Sequence, residues 1–241
     1  MRIGLGPIEL GGVSRVQLQS LAEAAVAASF DSVWVAEDRA NGVGGGLAAA
    51  AMVAEWIPIR TGAAVDLAGH HPLYLAEDIA VADLTTRGRI EVLVRGGTEE
   101  QMRLLVEALS GAHLRFEGET LRVPAGLEAN QPAPRRLALN PRPAQPVVPL
   151  WIEEARIAEE IGAGVAARWH PGTTAPSASG RWPGMLLCPS DVDGDALVEA
   201  AGGESAYFLI AATTAGEAIE AGRRLVGPLR MPEFPEWIRR Q

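Results

Sequence analysis

Along most of the chain, short runs of β-branched and other apolar residues alternate with longer Ala-rich stretches whose apolar positions recur at helical spacing. Repeated switching between a strand-like and a helix-like pattern is the mark of βα units built around a parallel sheet. Eight strands are predicted: Arg2 to Gly6, Ser32 to Ala36, Thr61 to Leu67, Ile90 to Val94, Leu150 to Ile152, Val165 to Trp169, Met185 to Cys188 and Tyr207 to Ala212. Helices are predicted behind Ser14, where Leu18, Leu21, Ala25 and Ala28 share a face. Further helices are expected over Leu47 to Trp56, Leu75 to Leu84, Glu99 to Leu109, Ala155 to Ile161, Asp195 to Ala201 and Gly216 to Leu225. This order fits a shortened (β/α)8 TIM barrel forming a single domain over residues 1–241.

Two segments break the rhythm. From Gly111 to Val148 there is a hairpin pattern in Leu114 to Val123, then prolines at 124, 132, 134, 141, 143 and 146, so an irregular excursion is expected after strand four. Pro171 to Gly184 is rich in Pro, Ser, Thr and Gly, which makes the sixth crossover a loop and leaves the sixth helix missing.

Composition narrows the function. With 48% hydrophobic residues in 241, the chain can fill one sizeable core. Thirty acidic residues against 21 basic ones give a net charge of −9, which argues against nucleic acid or an anionic membrane as partner. Every basic residue is Arg, so Schiff-base, phosphate-loop-lysine and Ser-Lys chemistries are excluded. Cys188 is the one cysteine and there are four His, so neither an internal disulfide nor a zinc-like array is expected, and a reducing cytoplasm is the simplest location. The start, MRIGLGPIEL, lacks the pattern of a signal peptide and is read as the first strand. No apolar run is long enough to span a membrane.

Particular residues go further. Phe30 to Glu37, Thr61-Gly62-Ala63-Ala64-Val65, His71-Pro72, Ala76-Glu77-Asp78, Asp83, Gly88-Arg89 and Arg95-Gly96 occur in order. They are followed by Phe116 to Glu119, Arg122 to Pro124, Pro149-Leu150-Trp151 and Trp169 to Gly172. Over roughly residues 1–172 the chain resembles the bacterial-luciferase-like monooxygenases, a family of flavin- and deazaflavin-dependent oxidoreductases. The resemblance implies an isoalloxazine cofactor, FMN or a deazaflavin, at the C-terminal ends of the strands, where barrel sites lie in general.

The site residues follow from matching positions. Where relatives carry a histidine after strand two, this chain has Asp38, next to Arg39; it is a candidate base, with a solvated ion-pair network of Glu37 and Asp38 as the alternative. Trp34 and Trp169 are candidate ring-pocket residues, and His170 a candidate donor or base, with packing or capping equally open. Ala63 and Ala64 match positions where the family often has a non-prolyl cis peptide beneath the ring, although two alanines also suit close packing. Arg95, with Gly96 and Gly97, matches a phosphate site; the alternative is an ion pair with Glu99 or Glu100. His71 is read as a helix-start residue and His70 as surface, Asp191, Asp193 and Asp195 as a turn and cap. Gly42 to Gly46 is not a dinucleotide fingerprint.

One feature points the other way. After strand five, Glu153 and Glu154 replace the small polar residues of relatives, and carboxylates at a helix N-terminus repel a phosphate, with Arg156 as partial compensation. Three functions are therefore carried forward. The first is an oxidoreductase using reduced flavin or deazaflavin on a small-molecule substrate. The second is a non-catalytic relative that lost the cofactor cradle and serves in ligand binding or protein association. The third, least supported, is a metal-dependent hydrolase. A homodimer is expected through the Ala/Gly-rich stretch Gly46 to Met52.

Overall fold

The computed structural model describes residues 1–38, 45–112, 114–123, 138–177 and 181–226. Arg39, Gly42, Gly44, Pro124, Pro132 and Pro134 lie outside the described residues.

Eight parallel strands close into a barrel in the order β1, β10, β9, β8, β7, β4, β3, β2. They are β1 (Arg2–Glu9), β2 (Ser32–Ala36), β3 (Arg60–Asp66), β4 (Ile90–Arg95), β7 (Leu150–Ile152), β8 (Gly164–Arg168), β9 (Gly184–Cys188) and β10 (Ala206–Ile210). Between β4 and β7 the excursion forms the small antiparallel hairpin β5 (Phe116–Glu117) and β6 (Arg122–Val123). Seven helices are described: α1 (Arg15–Ala27), α2 (Gly46–Trp56), α3 (Pro72–Thr85), α4 (Glu99–Leu109), α5 (Ala155–Ile161), α6 (Gly194–Ala201) and α7 (Ala215–Ala221), the last running into a π-helical turn at Gly222–Val226. Among the described residues no helix lies between β8 and β9. The shortened barrel is therefore the architecture the alternation implied.

Local chemistry explains the boundaries. Ser14 with Gln17, and Thr98 with Gln101, form capping boxes that start α1 and α4. His71 caps α3 through Nδ1, which accepts the Leu73 amide at 3.3 Å, and Pro72 occupies the first turn. Asp193 is the N-cap residue of α6. The hairpin is held by Glu100, whose carboxylate accepts the Thr120 and Leu121 amides.

The barrel interior is built from one face of each strand. Gly4, Gly62 and Gly164 leave room for three rings: a Cβ on Gly62 would lie 2.1 Å from Trp34, and one on Gly164 would lie 2.4 Å from Trp151. Trp34, Trp151 and Tyr207 fill that space edge to face, with centroids 5.5–6.1 Å apart. Toward the N-terminal ends, the buried Glu91 accepts Arg2 at 2.8 Å, Arg60 at 2.6 Å and the Tyr207 hydroxyl at 2.8 Å. Trp34 donates to that hydroxyl at 2.8 Å. Burial, and then the Glu91 carboxylate, push the Tyr207 phenol well above its usual range, so it stays a donor. Gln145 ties the excursion to this end by hydrogen bonds to Asp83, Arg60 and the Ile90 carbonyl.

Candidate functional site

Side chains at alternate positions of a strand face the same way. Trp34 and Ala36 on β2, Ala64 on β3, Leu93 on β4, Trp151 on β7, Ala166 on β8, and Tyr207 and Leu209 on β10 belong to the interior cluster. Continuing the alternation along β3, β4 and β8 brings Asp66, Arg95 and Arg168 to the mouth, and Asp38, Glu153 and His170 follow just beyond the C-terminal ends of β2, β7 and β8. In-register partners support this: Ala36 pairs with Ala64, Asp66 with Arg95, and Arg168 with Leu187, which packs on the interior cluster.

The structure brings some of the sequence candidates to this end and leaves others elsewhere. Arg95, Gly96, Gly97, Asp38 and His170 are at the mouth or its rim. Trp34 shares the inward face but lies below, fully buried in the aromatic plug. Ala64 is an inward residue, also buried, above that plug. Ala63 and Trp169 are on the opposite face, packed in the layer between strands and helices, because each is the immediate chain neighbour of an inward residue. The Ala63–Ala64 bond is trans, cis bonds among the described residues being Gly6–Pro7 and Asn140–Pro141. Close packing is what the two alanines provide.

Arg95 is the most informative residue. It is half-buried, and its Nε is buried with no hydrogen-bond partner. An unmade hydrogen bond on a buried cationic group is costly, so such an atom points to a missing acceptor. The ion-pair alternative fails because both acids are engaged elsewhere. Glu99 binds Arg103 and Arg156, and Glu100 holds the hairpin. Gly96 and Gly97, at φ +60° and +84°, take left-handed conformations that suit glycine. An added Cβ there would meet Asp66 Oδ1 at 2.7 Å and Leu67 at 2.9 Å. The turn after Arg95 is thus seated on the end of β3, where Asp66 Oδ1 accepts the Ala68 amide at 2.9 Å.

The acids at the mouth have distinct jobs. Glu37 faces the helices and accepts the amides of Gly45 at 3.2 Å, Gly46 at 3.3 Å and Asp66 at 3.4 Å. It serves as the cap that α2 lacks in its own N-cap residue. His70 Nε2 lies 3.8 Å from this carboxylate. Asp38 rests on the β1–α1 loop, so closely that a Cβ on Gly11 would lie 1.7 Å from Oδ2. Glu153 and Glu154 are exposed, and Glu154 stands at the N-cap of α5 without making a side-chain cap. Arg156 does not offset them at the mouth, because it pairs with Glu99 and Glu160. His170 is exposed and its ring contacts the Thr173 hydroxyl of its own turn.

Gly11, Asp66 and Arg168 were not among the sequence candidates. Arg168 had a signal, since it precedes His170 by two positions and so shares its face. Among the described residues, no three His, Cys, Asp or Glu side chains are placed to hold a metal ion. No described helix is long and apolar enough to cross a membrane.

Neither a family model nor a curated protein matches the sequence. Solved structures do match. The monooxygenase RslO1 from Streptomyces bottropensis aligns over 93% of this chain and 97% of its own, with TM-score 0.64 and 15% identity. The coenzyme F420-dependent tetrahydromethanopterin reductase from Methanopyrus kandleri aligns over 87% and 65%, with TM-score 0.54 and 14% identity. The oxygenating constituent of 3,6-diketocamphane monooxygenase from Pseudomonas putida, solved with FMN, aligns over 83% and 63%, with TM-score 0.52 and 17% identity. The chain spans under two thirds of the length of the last two. At these identities the likeness is one of fold, a barrel shared with these monooxygenases and this reductase.

Proposed function

We propose that the chain is a flavin- or deazaflavin-dependent oxidoreductase of the luciferase-like type, acting on a small organic molecule at the C-terminal mouth of the barrel. The observation that carries this reading is Arg95, a guanidinium at the end of β4 whose buried Nε lacks a partner. Its charge and its seating on a glycine turn fit a cofactor phosphate. The structural neighbours include monooxygenases, one of them solved with FMN, and an F420-dependent reductase.

In this reading Arg95, with the Gly96-Gly97 backbone, holds the phosphate. The bound cofactor supplies the redox chemistry. Asp38, braced on Gly11, is the base nearest the end of β2, and His170 supplies a polar group at the opposite rim. Trp34, Ala63, Ala64 and Trp169 act from behind, by filling the interior and fixing the strands. The proposal also includes a homodimer through α2, whose Ala48 and Ala51 line a groove of about 650 Å³ shared with Val81 of α3. Light scattering at micromolar concentration should then give twice the 25.4 kDa chain mass. A cytoplasmic location is proposed from the lone, buried Cys188.

Glu153 and Glu154 favour the second reading, a barrel that no longer holds a phosphorylated cofactor. Titration of FMN and of F420 into the purified protein, followed by quenching of cofactor fluorescence, separates the two. Saturable quenching by either supports the oxidoreductase; no quenching by both supports the non-catalytic relative.

A further inference from the structure

We propose that Arg168 is a specificity-determining residue, the anchor for an oxyanion on the substrate, so that the site takes organic acids rather than neutral molecules. The inference rests on the oxidoreductase reading for the word substrate, and on geometry for the anion. Arg168 ends β8 two positions beyond the inward-facing Ala166, and its in-register partner Leu187 packs on the interior cluster. It is exposed and makes no ion pair or hydrogen bond among the described residues.

Among the described residues Arg87, Arg122, Arg142 and Arg181 also make no ion pair or hydrogen bond, but of the arginines without one Arg95 and Arg168 are those that end barrel strands. Arg2 and Arg60 are joined to Glu91, Arg103 to Glu99 and Glu160, Arg156 to Glu99, and Arg223 to Glu220. Arg89 is spent on the carbonyls of Ala54, Ile57, Ile59 and Thr86. Glu153, on the neighbouring strand end, forms no ion pair with Arg168. Two guanidiniums, Arg95 and Arg168, therefore reach the same end of the barrel from strands separated by β7 alone, neither joined to an acid among the described residues.

In a mouth that also carries Asp38, Asp66 and Glu153, the attraction for an anion is local to these two guanidiniums and comes from charge-assisted hydrogen bonds. Arg95 has the buried Nε and a fixed turn, which suits a permanently bound group. Arg168 is exposed beside the apolar, partly exposed Leu187, which suits an exchanging molecule with an apolar body and one acidic group.

The test uses 2-naphthoate and its neutral counterpart 2-naphthamide, titrated by calorimetry into the full chain with saturating FMN, for wild type, Arg168→Met and Arg168→Lys. Wild type should bind the acid about tenfold more tightly than the amide, one charged hydrogen bond's worth. Arg168→Met should abolish that preference without changing amide or FMN affinity, and Arg168→Lys should restore part of it. Equal affinity for acid and amide in wild type, binding of neither, or a preference that survives Arg168→Met would overturn the proposal. So would loss of FMN affinity in Arg168→Met, which would put this arginine on the cofactor phosphate. If wild type binds no FMN yet shows an Arg168-dependent acid preference, the anion anchor stands and the oxidoreductase reading falls.

Discussion

The aromatic plug makes the sharpest prediction about how the barrel supports its mouth. In Gly62→Ala the new Cβ would lie 2.1, 2.3 and 2.4 Å from Cδ2, Cε2 and Cε3 of Trp34. To reach ordinary contact at 3.4 Å the indole must retreat by about 1.3 Å, and it has nowhere to go. Trp34 is fully buried, meets Trp151 and Tyr207 edge to face, and donates Nε1 to the Tyr207 hydroxyl at 2.8 Å. Overpacking costs about 1–3 kcal/mol, and displacing the indole also strains a buried hydrogen bond, so the loss should sit near 3 kcal/mol, the top of that range. For a domain of this size each kcal/mol lowers Tm by about 2–4 °C, which predicts a fall of about 6–12 °C. Gly216→Ala in α7, where the nearest atom is Thr214 Oγ1 at 3.9 Å, is the control and should be neutral or stabilising by up to about 1 kcal/mol. Urea unfolding with near-ultraviolet circular dichroism reads both stability and the indole environment. Gly62→Ala within about 0.5 kcal/mol of wild type with an unchanged aromatic spectrum would refute the packing argument.

The remaining predictions concern buried titratable groups. Glu91→Gln removes the carboxylate that Arg2, Arg60 and Tyr207 share, and should cost about 3 kcal/mol, the low end for a broken buried pair because both guanidinium side chains are 32% exposed; denaturant midpoints check it, and a loss under about 1 kcal/mol would contradict the network's role. Burial pushes the Cys188 thiol up to about 12 from 9.0. Its contribution is therefore intact below about pH 9 and lost as pH rises toward 12, and Cys188→Ala should flatten that part of the stability curve. The folded wild type should resist iodoacetamide at pH 8 until denaturant is added, as mass spectrometry would show; rapid labelling of the native protein would argue against burial.

Much of the fold was legible because its signals are local. Ser32–Ala36, Leu150–Ile152, Glu99–Leu109 and Ala155–Ile161 have the bounds that pattern and caps suggest. Where a boundary moved, a local signal had been overridden or underused. Strand β1 continues past Gly6-Pro7 to Glu9, with a register shift opposite β2, whereas α3 begins at Pro72, where the His71-Pro72 signal puts it. The site was harder to read, for a reason that alternation makes plain. Ala63 and Ala64 are consecutive on an extended strand, so one of them must face the helices, and Trp169, which directly follows the inward Arg168 that ends β8, packs on the outer layer. Trp34 shares the face of Asp38 but precedes it by four residues, about 13 Å along a strand, which puts it below the mouth. Parity identifies Arg168, whereas the bracing of Asp38 by Gly11 and of Gly96 by Asp66 joins different βα units and has no sequence signature. The engagement of Glu99, Glu100 and Arg156 elsewhere likewise emerges only when α4, α5 and the hairpin are packed together.

The central claim is that this mouth holds a phosphorylated cofactor through Arg95, and one titration tests it directly: FMN against riboflavin, at fixed salt, into wild type, Arg95→Ala and the double variant Glu153→Gly with Glu154→Ser. A charged hydrogen bond is worth about 1.5–3 kcal/mol, or roughly ten- to a hundredfold in affinity at 1.4 kcal/mol per decade. Wild type should prefer FMN to riboflavin by that factor, Arg95→Ala should lose the preference while binding riboflavin unchanged, and the double variant should bind FMN more tightly because two carboxylates no longer repel it. Wild-type binding that is equally tight for both flavins, or FMN binding indifferent to Arg95, would contradict the account.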